Sequence, residues 1–223
     1  MKKYIIGITP RFCNEPPKVQ ANFSYFIPLN KRDLIPIILP VASKDLKQIL
    51  DLCDGFLIIG GDDLDPKYYN EINAGYSRDV QPLIDEVDKA VIDYLKTNPK
   101  PTLGICRGIQ SLATFFGGSL YQDLENEHVL HTSINNEHTV VVTSDTPLTH
   151  LLPHEFMVNT YHHQAVKKVP DDFVISLMHD ETIEAIEHKS LPILGVQWHP
   201  ERYDSKESEI IFDYFKQLLD ANK

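Results

Sequence analysis

Cys106 lies in Thr102-Leu-Gly-Ile-Cys-Arg-Gly-Ile-Gln110, two residues after Gly104 and two before Gly108. An apolar run leads into the cysteine, and an amphipathic helix candidate, Ile109 to Phe116, follows it. Small residues on both sides of a nucleophile suit a sharp strand-to-helix turn, where the backbone is strained and neighbouring side chains must not clash. Such a turn leaves a thiol at a helix N-terminus, where partial positive charge favours the thiolate. Arg107 stands next to it as a further source of positive charge. An isolated cysteine is more often a buried structural residue. The glycine bracket reverses that preference, and Cys106 reads as a nucleophile.

A thiol nucleophile needs a base, and the base needs an orienting group. Gly195-Val-Gln-Trp-His-Pro-Glu201 offers both at the end of an apolar run. His199 and Glu201 lie two apart, so on an extended segment both side chains leave the same face, and Pro200 stiffens that segment. A carboxylate on one ring nitrogen fixes the tautomer and leaves the other nitrogen for Cys106. His-x-Glu is a weak pattern alone, equally at home in a surface turn, and its weight comes from the companion cysteine. Acyl transfer also develops an oxyanion, which backbone N–H donors meet best. The N–H of Arg107 and the turn Gly60-Gly61, closing another apolar run, are the candidates. As a lone pair the two glycines would mark only a turn.

These groups need a scaffold that brings strand ends together. Tyr4 to Ile8, Leu34 to Pro40, Gly55 to Ile59 and the run into Cys106 read as short buried strands. Helix candidates alternate with them: Asn22 to Asp33, a segment from Ser43 to about Leu52, and Leu83 to Leu95. Residues 11–20 read as loop, with Pro16-Pro17 against regular structure. That alternation predicts a doubly wound α/β domain with a mostly parallel sheet and helices on both faces. After Gly118 come six strand-like runs with few helices between them, from Gly118–Leu124 to Ile193–Trp198, which predicts antiparallel pairing in the second half. Ser205 to Leu219 closes the chain as an amphipathic helix. With 223 residues and no repeat, residues 1–223 are expected to form a single domain.

A net charge of −11 with no lysine-rich patch argues against nucleic acid. No segment approaches the roughly eighteen apolar residues of a membrane span. The N-terminus lacks a secretory pattern. Cys13, Cys53 and Cys106 have no disulfide-framework spacing, as expected of a cytoplasmic protein. Adjacent His162 and His163 on a strand point to opposite faces and do not readily chelate one ion. No metal is therefore expected.

Gly104-Ile-Cys-Arg-Gly-Ile-Gln110, Gly117-Gly-Ser-Leu-Tyr-Gln-Asp-Leu124 and Gly195-Val-Gln-Trp-His-Pro-Glu201 together resemble class I glutamine amidotransferases. Ile59-Gly-Gly-Asp-Asp-Leu-Asp-Pro66, Val158-Asn-Thr-Tyr-His-His-Gln-Ala165 and Glu184-Ala-Ile-Glu187 extend the resemblance to the gamma-glutamyl-gamma-aminobutyrate hydrolase branch, a peptidase C26-like group. The likeness runs nearly end to end, in order.

The resemblance implies a flavodoxin-like doubly wound sheet with an antiparallel extension. It implies a triad of Cys106, His199 and Glu201, and an oxyanion hole from Gly60, Gly61 and Arg107. It places Gln110 and His162 beside a glutamyl pocket. The implied reaction is attack on a gamma-glutamyl amide, amine release, and hydrolysis of a glutamyl thioester, with no metal or organic cofactor. Three departures from the family pattern stand out: Ile59 where proline is common, Ile84-Asp-Glu-Val-Asp88, and Asp180-Glu181 where Asp-Gly is usual. Besides the stand-alone hydrolase with a small-molecule substrate, a glutaminase that passes ammonia to a separate synthase shares the same residues. A non-catalytic binding protein on this scaffold ranks behind both. Homo-oligomer formation and a synthase partner are left open by the sequence.

Overall fold

The computed structural model describes residues 3–14 and 16–222, so the first two residues of the N-terminal segment lie outside it. In chain order the first half runs β1 (Ile5–Ile8), β2 (Arg11–Asn14), β3 (Pro17–Gln20), α1 (Phe26–Asn30), β4 (Ile35–Ile38), α2 (Leu46–Leu52), β5 (Gly55–Ile58), α3 (Pro82–Thr97), β6 (Thr102–Ile105) and α4 (Arg107–Phe115). The second half runs β7 (Ser119–Tyr121), β8 (Glu137–Val142), β9 (Glu155–Asn159), β10 (Ala165–Lys168), β11 (Phe173–His179), β12 (Thr182–His188), β13 (Ile193–Val196) and α5 (Lys206–Ala221).

One mixed nine-stranded sheet organises the chain, in the order β4-β1-β5-β6-β13-β12-β11-β8-β9. Strands β4, β1, β5, β6 and β13 are parallel, and β12, β11, β8 and β9 continue the sheet antiparallel. Counted in chain order, the parallel strands are arranged 2-1-3-4-5, the flavodoxin-like order, as expected from the sequence. In such sheets ligands bind beyond the carboxyl ends of the strands.

Strands β5, β6 and β13 are buried along their whole length because helices cover both faces. Alternate residues serve opposite layers. Leu57 joins Ile6, Ile8, Leu103 and Val196 against Leu29 of α1 and Phe212 and Phe215 of α5. Phe56 and Ile58 face Val91 and Leu95 of α3 and Leu112 of α4. Helix α5 starts at a true cap, the Ser205 hydroxyl accepting from the Ser208 N–H at 3.1 Å.

The structure departs from the sequence reading in several places. Residues 11–20 hold the β2–β3 ribbon rather than a loop, with Arg11 paired to Gln20. Pro17 is tolerated because β3 is exposed throughout and its missing N–H falls on an edge. Strand β7 does not enter the main sheet but pairs with β10, an element not anticipated, in a separate ribbon. Strand β13 is antiparallel to β12 yet parallel to β6, so it is the seam between the two halves. Among the described residues no helix is long and apolar enough to cross a membrane.

Candidate active site

Parallel β6 and β13 fix the first relationship. Ile105 pairs with Val196, and the ladder extends one step, with the Cys106 N–H on the Val196 carbonyl at 2.8 Å. Cys106 and His199 therefore leave adjacent strand ends. At Cys106 the backbone takes φ 54° and ψ −108°, a left-handed conformation outside the ordinary minima, and α4 begins at the next residue. Holding a non-glycine residue there costs about 1–3 kcal/mol, which the buried strand and helix on either side must impose.

Gly108 makes that turn compatible with the core. A β-carbon at this position would lie 2.1 Å from the Ile58 carbonyl oxygen, so only glycine lets α4 rest directly on β5. The glycine after the nucleophile is thus a packing requirement as well as a turn requirement.

His199 is buried, with 5% of its surface exposed. Its Nδ1 meets Glu201 Oε1 at 2.7 Å, and its Cε1 edge faces Gly60 beside Cys106, with both residues on the wall of one cavity. The sequence predicts an extended segment for His199 and Glu201. Pro200–Arg202 instead forms a 3-10 turn, which folds the carboxylate back onto the ring. Burial alone would lower the His199 pKa, but hydrogen bonds and charge interactions with Cys106 and Glu201 outweigh it and raise it to about 10. The imidazole is poised between a sulfur that gains negative charge and a carboxylate that carries one. It can shuttle a proton between the thiol and a leaving amine.

Gly60 closes the cleft from the β5 side. Its ideal β-carbon position is 2.7 Å from His199 Cε1 and 2.9 Å from the Tyr25 hydroxyl, which leaves no room for a side chain. The Gly60 N–H donates to the Tyr25 hydroxyl at 3.0 Å. Of the two glycines, Gly61 therefore has its N–H available for an oxyanion. The Arg107 N–H starts α4, where backbone donors have no intrahelical acceptor. Arg11 Nε donates to the Gly60 carbonyl at 2.6 Å, and Nη2 donates to the Ile59 carbonyl. This clamp holds the turn although Ile59 stands where proline is common.

The Arg107 side chain does not reach the thiol as expected from its place in sequence. It is buried and turned toward α3, with Nη2 on Asp85 at 2.5 Å and Nη1 on Asp88. Ser111 Oγ adds a bond to Asp88 at 2.8 Å. The guanidinium charge is spent on locking the first turn of α4 to α3, so positive charge beside Cys106 comes from the helix end and His199.

A cavity of about 430 Å³ opens over the thiol, lined by Tyr25, Gly60, Gly61, Cys106, Tyr161, His199 and Arg202 among others. Gln110 and His162 are not on its wall. Gln110 Nε2 donates to the Gln164 carbonyl at 3.1 Å and Gln197 Oε1 at 3.2 Å, bracing the floor from below. His162 Nδ1 bonds the Gln164 carbonyl at 2.9 Å, and burial lowers its pKa, so the ring is neutral at neutral pH. His163 turns the other way, between Asp63 and Asp123, as the opposite-face reading of the pair requires. The other cysteines stand apart. Cys53 is buried, its thiol pKa pushed up to about 11 by burial, and Cys13 belongs to the β2–β3 ribbon.

Sequence reasoning missed Tyr25, Arg11, Asn159 and Arg202. Asn159 Oδ1 accepts the His199 N–H at 2.8 Å, and its Nδ2 donates to the His199 carbonyl at 2.9 Å. Arg202, next to Glu201, lies at the rim with its Nε 3.3 Å from Glu201 Oε1.

Two relatives match the chain over most of their length, and two solved structures share its fold. The Peptidase C26 family model matches residues 5–201. Protein NtpR of Enterococcus hirae is 34% identical over 203 residues, 85% of each chain. A glutamine amidotransferase-like protein of Rickettsia prowazekii is 31% identical, covering 100% of this chain and 99% of its own. In fold, the chain is similar to a glutamine amidotransferase of Thermotoga maritima, with a TM-score of 0.62 at 15% identity over 100% and 91% of the two chains. A Thermoplasma acidophilum structure of the GMP synthase type superposes with a TM-score of 0.74 at 22% identity, over 99% and 96% of the two chains. The chain belongs to the Peptidase C26 family of class I glutamine amidotransferase-like proteins.

Proposed function

We propose that this protein hydrolyses gamma-glutamyl amide bonds with Cys106 as nucleophile, His199 as proton carrier and Glu201 as its orienting carboxylate. The observation that carries the reading is the Glu201–His199 pair set beside Cys106 on the wall of one cavity, at adjacent strand ends. The Cys106 sulfur attacks the side-chain carbonyl of the substrate, and the N–H groups of Gly61 and Arg107 receive the oxyanion. His199 delivers its proton to the departing amine. It then takes a proton from the water that attacks the thioester, and glutamate leaves.

The branch that cleaves gamma-glutamyl-gamma-aminobutyrate is the favoured specificity, supported by the His162-His163-Gln164 stretch and by Arg107 after the nucleophile. Arg202 at the rim is the cation suited to a substrate carboxylate. The test is amine release by the purified protein alone from glutamine, gamma-glutamyl-aminobutyrate and several gamma-glutamyl peptides. Fast turnover of a substituted amide over glutamine supports the reading. Silence across the panel, with a synthase recovered stoichiometrically on purification, contradicts it in favour of an ammonia-donating glutaminase.

A further inference from the structure

The antiparallel extension buries an unusual group of side chains outside the cavity wall that holds the thiol. Glu184 of β12 is fully buried, and so are the rings of His138 of β8 and His162 just after β9, whose side chains are 1% and 2% exposed. Glu184 Oε2 lies 3.5 Å from His138 Nε2, and Oε1 lies 3.7 Å from His162 Nε2. Neither contact has the geometry of a hydrogen bond. Both ring nitrogens of His138, Nε2 of His162 and Oε2 of Glu184 have no hydrogen-bond partner among the described residues. His131, on the loop before β8, closes the group with its ring centroid 4.8 Å from that of His162 and 5.0 Å from that of His138.

Leaving a buried polar group unsatisfied costs about 1–3 kcal/mol each, more for a charge. Such a group of atoms gathered in one place is therefore not accounted for by packing. A dication would take one nitrogen from each of the His131 and His162 rings and an oxygen from the Glu184 carboxylate. Around a tetrahedral zinc-type ion with bonds of about 2.0–2.1 Å, neighbouring ligand atoms stand about 3.4 Å apart. The separation of Glu184 Oε1 from His162 Nε2, 3.7 Å, is already close to that. The ligand atoms of His131, His162 and Glu184 lie within 4.8 Å of one another, so His131 must move inward by up to about 1.4 Å. It sits on a half-buried loop position that permits this. The His162 Nδ1 bond to the Gln164 carbonyl also directs the Nε2 lone pair inward, the second-layer bond that ligating histidines usually make. A cleft of about 780 Å³ reaches His131 and His162 from solvent.

We propose that His131, His162 and Glu184 form a binding site for a divalent transition-metal ion of the zinc type, with His138 packed beside it against Glu184. The ion ties the loop before β8 to β12 and to the segment that follows β9, the strand ending at Asn159. Its role is to brace the frame behind His199, with no part in bond breaking.

Chelator-stripped full-length protein is titrated with zinc chloride by calorimetry and by thermal unfolding, and cobalt(II) is used as a visible probe of tetrahedral geometry. One equivalent bound at micromolar or tighter affinity, a rise of several degrees in Tm and visible cobalt bands are expected. His131→Ala, a loop substitution that leaves the buried core intact, loses at least tenfold in affinity. His150→Ala/His154→Ala, on exposed histidines, and Cys106→Ala keep the parent value. No stoichiometric binding, an unchanged affinity in His131→Ala, or loss of binding in Cys106→Ala overturns the proposal.

Discussion

Asn159 holds both ends of the His199 residue, accepting its N–H at 2.8 Å and donating to its carbonyl at 2.9 Å. This fixes the backbone from which the imidazole projects, across two strands that are not neighbours in the sheet. Asn159→Ala is expected to lower kcat by about ten- to a hundredfold through misplacement of the ring, with KM little changed. Asn159→Asp keeps the acceptor, loses the donor, and should fall between the parent and Asn159→Ala. An unchanged kcat in Asn159→Ala would remove the positioning role.

Glu201 helps raise the His199 pKa, and the sign of its pH dependence follows. The folded pKa, about 10, lies above the ordinary 6.5, so protonation favours the folded state. The contribution is complete below pH 6.5 and is lost as pH rises through 10. The Tm gap between parent and Glu201→Gln should be widest near pH 6 and shrink toward pH 10. Turnover in Glu201→Gln should drop by about 10²–10⁴-fold, with its alkaline limb moved to lower pH. A gap that grows with pH would contradict the pairing.

Arg107 sits between Asp85 and Asp88, with all three side chains buried. Arg107→Met strands two carboxylates in the core and is expected to destabilise the fold by about 3–5 kcal/mol in denaturant unfolding. A loss below about 1 kcal/mol would mean that the network is dispensable.

Gly60 and Gly108 separate site from scaffold. Gly108→Ala forces α4 off β5 and should destabilise by about 1–3 kcal/mol or more. Gly60→Ala intrudes on His199 and Tyr25 at the cavity wall, so turnover should fall with a smaller loss of Tm. Activity assays alongside thermal unfolding separate the two, and equal Tm losses would contradict the distinction.

Much of this was legible because it is local. The glycine bracket, the apolar runs and His-x-Glu mark strand ends within a few residues of sequence, and the parallel pairing of the first half followed from alternation. What was hidden depends on which strands become neighbours. Asn159 and Tyr25 reach the site only through sheet order, and the Arg107 network only through α3 packing on α4. One signal did exist there: Asp85 and Asp88, three apart, fall within the apolar stripe of Ile84, Val87 and Val91. Another lay in β12, whose buried run includes Glu184, a charge that needs a partner. His162 and His163 do have different partners, though they lie in the segment between β9 and β10 and not on a strand as the reading supposed. What distance in sequence concealed is that Glu184 of β12 meets His162 in that segment.

The most direct test of the proposed chemistry is a rapid-quench mass spectrum of the protein during turnover of a gamma-glutamyl amide. The peptide containing Cys106 is expected to gain the mass of one glutamyl group, in a hydroxylamine-sensitive linkage, with Cys13 and Cys53 unmodified. Cys106→Ala should show neither adduct nor turnover. Full turnover in Cys106→Ala, or an adduct on another residue, would contradict Cys106 as the nucleophile.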